Sequence, residues 1–319
     1  MEIPSSLQNY HDREITFPVM ITRATKKGPT KINVITLSIP LFDARVINLV
    51  LLTLGTSLNF LIILAIVCKP SMRTSANLYV VSLACSNMVI LIEPLEEMLK
   101  WSLEVNMKLN MDYVCMVSFD VSIITLSILK FILYIGIFRE QVSFGHEILK
   151  RTTTMKGILL TWSSCIISIA IGLHIYDFFE DDMADIYVWF TIMFIGMPTI
   201  VSIAIDALII YELYVLKEIE GSWRTRELKQ FVLLVVIWIA FLAIRMPYRL
   251  ARAISFLLPK ASCCTDGKRE GLYFMAKAYP TAFSLIYIVL SNDFHEIFQV
   301  ILKYRCWKCC KETAREVIA

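Results

Sequence analysis

The sequence predicts an all-α membrane protein, a bundle of seven transmembrane helices with a short amphipathic helix after the last span. Three observations carry this. Of the 319 residues, 57% are apolar and 18% charged, against about 45–50% and about 25% in ordinary soluble domains. Seven apolar runs reach the roughly 20 residues that a helix needs to cross a bilayer. Lys and Arg gather in alternate connections between those runs.

Residues 1–40 mix charges with Pro and Thr and read as an N-terminal tail. They hold no long apolar h-region, so no cleavable signal peptide is expected. The seven runs lie near 46–68, 77–99, 113–138, 157–176, 186–215, 230–257 and 272–290, and 41–290 is read as one transmembrane domain. Lipid offers backbone amides no partner, so each run is expected to close its hydrogen bonds internally as a helix. Few broken helices are expected, and no internal repeat is visible. The segment 217–229, KEIEGSWRTRELK, reads as two helix ends projecting from spans five and six, with Gly221 as the break. In 291–319, Phe294, Ile297, Phe298 and Ile301 recur at helical spacing ahead of Lys303 and Arg305, the pattern of a helix lying on the membrane surface.

Placing the amino terminus outside puts fifteen Lys and Arg in the inner connections and tail and five in the outer loops. The positive-inside rule therefore predicts a multi-pass protein of the cell membrane, its N-terminus extracellular and its C-terminus cytoplasmic. A net charge of +3 gives no reason to expect nucleic acid. The nine cysteines are too scattered for a metal cluster, and no metal is expected. Cys306, Cys309 and Cys310 sit where inner-leaflet palmitoylation occurs. Cys115 opens span three, and Cys263 and Cys264 lie in the last outer loop, so an extracellular disulfide between these places is expected.

Ionisable residues inside spans are costly and need partners or a polar interior. Arg245, Arg249 and Arg252, at i, i+4 and i+7, share one face of span six. Arg249 and Arg252 are expected to snorkel to the outer headgroups. Arg245 lies a turn deeper, beside Pro247, where Glu93, Glu96, Glu97, Asp120 or the acidic stretch YDFFEDDMADIY would answer it as part of a ligand pocket. Lys130 in span three and Asp206 in span five have no obvious role in the sequence, which leaves two readings open, Asp206 capping a polar network near the cytoplasmic side or the two forming an interhelical pair. Lys277 lies about two turns, roughly 10 Å by helical rise, inside span seven. A lysine amine held away from water is the nucleophile that condenses with an aldehyde to a Schiff base. An ion pair with Glu93 or Glu97 is the alternative.

MRTSANLYVVSLACSN in span two, FLAIRMPY (241–248) in span six and FMAKAYPTAFSLIY in span seven together resemble the rhodopsin-like G-protein-coupled receptors, most closely the opsins. Asn59 falls at the first-span asparagine of that class, and Tyr287 at the tyrosine of N-P-x-x-Y, ten residues after Lys277. The resemblance implies that Lys277 binds retinal as a Schiff base, with Arg245 and Tyr248 against the chromophore. Ser118 stands where vertebrate visual opsins carry the counterion, which must then come from Glu93, Glu97, Glu180 or Asp181. It also implies Arg139 and Tyr287 as switch residues, Pro247 as the pivot of span six, and a heterotrimeric G protein and an arrestin-like regulator as partners. The chain departs from the pattern elsewhere. Asn87 replaces the span-two aspartate, Arg245 replaces a tryptophan, E/D-R-Y is not recognisable around Phe138, Arg139 and Glu140, and N-P-x-x-Y keeps only Tyr287. Two functions follow as expectations, neither enzymatic. One is a photoreceptor signalling to a G protein; the other is a chemosensory receptor whose Arg245 and Arg249 hold a diffusible, anionic ligand.

Overall fold

Ten helices, joined in part by a 3-10 turn at Pro70–Met72, make up the described part of the chain. The computed structural model describes residues 41–103, 111–178, 183–257, 266–291 and 294. The helices are α1 (Leu41–Cys68), α2 (Ser75–Ile90), α3 (Ile92–Leu103), α4 (Met111–Phe138), α5 (Ser143–Leu149), α6 (Arg151–Phe178), α7 (Met183–Glu220), α8 (Thr225–Ile244), α9 (Met246–Leu257) and α10 (Asp266–Leu290). Seven helical stretches are long and apolar enough to cross a membrane, one for each predicted run. The protein is an all-α, seven-helix, multi-pass membrane protein.

Helix α4 runs through the interior and packs against α2, α6, α7 and α8, while α10 packs against α1, α8 and α9. The core they share holds Ile62, Leu83, Ile123, Leu126, Ile209, Ile237, Phe241 and Phe283. Leu64, Ile167 and Ile200 stay exposed on the outside of the bundle. In lipid this is the stable arrangement, because tails are as apolar as leucine and association rests on packing and interhelical hydrogen bonds. One such set joins three helices. Asn59 donates to the Pro280 carbonyl at 3.1 Å and accepts from Asn87 at 3.3 Å, tying α1 to α10 and α2.

Two of the seven spans are divided. Span two breaks at Leu91 between α2 and α3, and span six breaks at Arg245 between α8 and α9. Each break lies two or three residues before a proline. A proline ring collides with the carbonyl four residues earlier, and for Pro94 that residue is Ile90, the last of α2. Pro198 and Pro280 lie inside α7 and α10 without dividing them.

The connections α1–α2, α4–α6 and α7–α8 lie at one end of the bundle, where Lys and Arg are dense; it is called the basic end below. Thr74 caps α2 there by accepting from the Asn77 amide. Gly221 ends α7 at φ 71°, the left-handed conformation that favours glycine. Gly145 is fixed by contact instead, since a Cβ there would sit 1.9 Å from the Arg139 carbonyl oxygen. Gly145→Ala is therefore expected to destabilise the protein by at least the roughly 1–3 kcal/mol of an overpacked core. A thermal melt in detergent reads this, and an unchanged midpoint would mean that the turn is not closed against α5.

Phe294 meets the Tyr287 ring edge-on, with centroids 6.1 Å apart. The predicted tail 1–40, the remainder of the surface helix, and Cys306, Cys309 and Cys310 lie outside the described residues.

Candidate ligand-binding site

At the end of the bundle opposite the basic one, α1, α3, α4, α9 and α10 bring buried charges into two neighbouring clusters. The first surrounds Lys277 on α10, which is 1% exposed. Its Nζ lies 3.3 Å from Glu93 Oε1 and 3.4 Å from Asn48 Oδ1. The ammonium also stands 4.5 Å from the Tyr273 ring centroid and 4.4 Å from that of Phe274. Tyr273 donates to the other Glu93 oxygen, and its ring lies 4.7 Å from that of Tyr248 on α9. Glu93 is thus the counter-charge of Lys277, and Tyr248 joins the cluster through Tyr273. Glu93 is the second residue of α3, just past the break at Leu91.

The second cluster surrounds Arg245, the residue at the break of span six. It is 1% exposed, yet no carboxylate lies within hydrogen-bonding distance of it among the described residues. Its guanidinium donates to Ser122 Oγ at 3.0 Å, Ser118 Oγ at 3.1 Å and the Ser118 carbonyl at 3.3 Å. Phe119, Phe241 and Tyr279 surround it with ring centroids 5.6–5.7 Å away. Five donors in a rigid fork let a guanidinium spread its charge over several neutral acceptors in this way.

Arg249, one turn further along α9, does not snorkel. It is buried, with Nη2 3.8 Å from Asp120 Oδ1, so the interior of α4 holds it. Asp120 therefore faces Arg249, and the hydroxyls of Ser118 and Ser122 serve Arg245. Sequence reading named Ser118 only at the counterion position and missed both serines as partners of Arg245. Their signal was a pair of hydroxyls at i, i+4 in an apolar span, one helix face of α4. Asn48 and Tyr273 were missed as well, being polar residues in apolar runs that carry no charge.

Arg245→Met is expected to leave stability within about 1 kcal/mol of the unaltered protein, or to raise it, because buried charges replaced by packed apolar groups are often neutral or stabilising. Ser118 and Ser122 keep their bonds to the Ser86 and Ser118 carbonyls, at 2.6 and 2.7 Å, without the guanidinium. Thermal unfolding checks this, and a fall of several kcal/mol would contradict it.

Lys130 and Asp206 form an ion pair, Nζ to Oδ2 at 2.5 Å, which links α4 to α7. At the basic end Arg139 contacts Glu212 of α7 at 2.6 Å, and Tyr287 donates to Asn77 at 3.2 Å. A cavity of about 180 Å³ opens there between α2, α4, α8 and α10, with Arg226, Lys229, Asn77 and Tyr287 at its polar side and Leu129 and Leu233 at its apolar side. Glu180, Asp181 and Cys263 lie outside the described residues, as do the side chains of Glu97 and Arg252.

Retinal needs a lysine with a counter-charge and, beyond it, an apolar slot for a long hydrocarbon body. Lys277 with Glu93 meets the first requirement. The ammonium faces α1 and α3, and the interior of α4, α8 and α10 beside it is filled by Arg245 inside the packed rings of Phe119, Phe241 and Tyr279. A polyene laid there would displace the guanidinium's hydrogen bonds without replacing them, at a cost of several kcal/mol.

No protein-family model matches the chain, and none of the curated proteins compared with it matches. The charged clusters and the fold are therefore what bear on function.

Proposed function

We propose that the chain is a receptor of the rhodopsin-like kind, in which the charged cluster of α4, α8 and α9 reads a diffusible ligand and a heterotrimeric G protein engages the basic end. One observation carries this reading: the cluster is built into the break of span six. Arg245 is the hinge residue, bound to α4 through Ser118 and Ser122, and Arg249 is one turn beyond it, facing Asp120. A ligand that takes up Arg249 and Asp120 changes what holds α9 to α4, and the break at Pro247 lets α8 respond as a separate rod. Differential contact of that kind is what a ligand needs to shift a conformational equilibrium.

The opposite end of α8 lines the cavity that carries Arg226 and Lys229. Movement of α8 would widen it for a partner, the usual logic of hinge-type switching. In this reading Tyr287 and Arg139 hold the resting arrangement through Asn77 and Glu212, the N-terminus is extracellular, and Lys277 is a structural ion-pair partner. Turnover of a substrate forms no part of it. The two divided spans also invite a transporter, but inverted-repeat transporters set their broken helices at matching places in two equal halves. No such repeat is visible in the sequence.

The test is a G-protein reporter assay in cells expressing the full chain, challenged with small carboxylic acids, amines and amino acids in the dark, and separately with 11-cis retinal and light. A dark response that survives Lys277→Arg and is lost in Arg249→Gln is expected. A response that needs light, added retinal and Lys277 would replace this reading with a photoreceptor.

A further inference from the structure

We propose that the cavity at the basic end binds a phosphate monoester, carried either by a small soluble molecule or by a lipid head group such as that of phosphatidic acid. Binding there stands on the fold alone, and only its effect on signalling rests on the receptor reading. The cavity, of about 180 Å³, lies between α2, α4, α8 and α10. Arg226 and Lys229 stand on its wall as the second and fifth residues of α8, three apart and so on one face of the helix. No Asp or Glu is among the described residues that line it.

These two cations differ from their neighbours in having no committed partner. At the same end Arg139 is taken by Glu212, Lys150 by Glu147 and Arg224 by Glu220, and Arg73 donates to the Val67 carbonyl. Arg226 and Lys229 meet no carboxylate among the described residues. The neutral side chains of the same wall also have donors to give. Ser71 and Gln230 make no side-chain hydrogen bond among the described residues, and Thr74 Oγ1 only accepts one, from the Asn77 amide at 3.3 Å. Basic residues at a membrane face commonly serve topology alone. Here the cations and the unused donors converge on one cavity, which topology does not require.

Two positive charges with no acid opposite them call for a group that carries about two negative ones. A phosphate monoester holds roughly −1.5 to −2 at pH 7 and presents three acceptor oxygens. A carboxylate brings one charge and would leave one cation unmatched. Arg226 would supply the forked pair of bonds that a guanidinium makes to phosphate, and Lys229 a point charge beside it. Leu129, Leu133 and Leu233 form the apolar side of the cavity, so a short hydrocarbon body on the phosphate gains affinity by burial there. An occupant that bridges α8 to the Thr74 end of α2 opposes the widening that a G protein needs, and in the receptor reading it holds the resting state.

The test is thermal unfolding of the purified full-length protein in phosphatidylcholine nanodiscs at constant ionic strength. Hexyl phosphate is compared with heptanoate, which has the same chain and a single charge, and a parallel set of discs contains phosphatidic acid. Hexyl phosphate or phosphatidic acid is expected to raise the melting temperature, with hexyl phosphate well ahead of heptanoate at equal concentration if the source is soluble. Replacing both cations, Arg226→Gln with Lys229→Gln, should raise the amount needed for half the effect at least tenfold. Both side chains are exposed, so the double variant is expected to fold, and the comparison of probes on the unaltered protein needs no variant. A rise with hexyl phosphate alone identifies a soluble source and a rise with phosphatidic acid alone a lipid one; either supports the site. Equal stabilisation by heptanoate and hexyl phosphate, a rise that survives the double variant, or no response to either phosphate would overturn it. The melt contains no G protein, so failure of the dark signalling response would remove the receptor reading and leave the phosphate site standing.

Discussion

Replacing Asp206 by Asn is expected to lower the stability of the bundle by about 3–5 kcal/mol, the cost of leaving one member of a buried ion pair without its partner. Lys130 is 1% exposed, its Nζ is 2.5 Å from Asp206 Oδ2, and it stands 4.6 Å from the Trp238 ring centroid. One ammonium therefore joins α4, α7 and α8. Asparagine keeps the shape and a carbonyl acceptor but removes the charge, and the Trp238 face supplies only about 2 kcal/mol of compensation when desolvated. Adding Lys130→Met to Asp206→Asn should recover most of the loss, since an apolar pair of similar volume is often as stable as a buried ion pair. Melting temperatures of the single and double variants in detergent read both effects. Equal melting of Asp206→Asn and the unaltered protein would mean that the pair does not hold these helices.

Glu93→Gln is the second large effect, expected to cost about 3–5 kcal/mol for the same reason. Lys277 would keep Asn48 and the faces of Tyr273 and Phe274 but lose its only counter-charge among the described residues. The double variant Glu93→Gln with Lys277→Met separates a structural lysine from a chemical one. If Lys277 serves the fold, the double variant regains stability and keeps the dark response to a ligand. If it serves as a covalent anchor, no ligand response survives its loss, whatever the stability.

The fold was legible because lipid imposes it. Each span must be a continuous apolar run, and the runs counted in the sequence match the seven spans in number and place. The breaks at Leu91 and Arg245 were less legible, although Pro94 and Pro247 mark them. Pro198 and Pro280 sit in undivided helices, so a proline alone does not decide. At the site, the charged residues stood out because charge in a span demands a reason, and Glu93 with Lys277 and Lys130 with Asp206 were both readable as pairs. Which partner answers which arginine was not. Arg245 and Arg249 differ by one turn, and that turn decides between the hydroxyls of Ser118 and Ser122 and the carboxylate of Asp120. Snorkelling of Arg249 was the expectation for a long side chain near a helix end. Its burial opposite Asp120 of α4 shows that the interior holds it instead.

The most direct measurement is an absorption spectrum of the purified protein after incubation with 11-cis and with all-trans retinal, beside a Lys277→Ala control. With Lys277 paired to Glu93 and the interior beyond it occupied by Arg245, the account predicts the same spectrum from both proteins and no change on illumination. A near-ultraviolet or visible band that shifts in light and is missing from the control would contradict it and make Lys277 the attachment site of a chromophore.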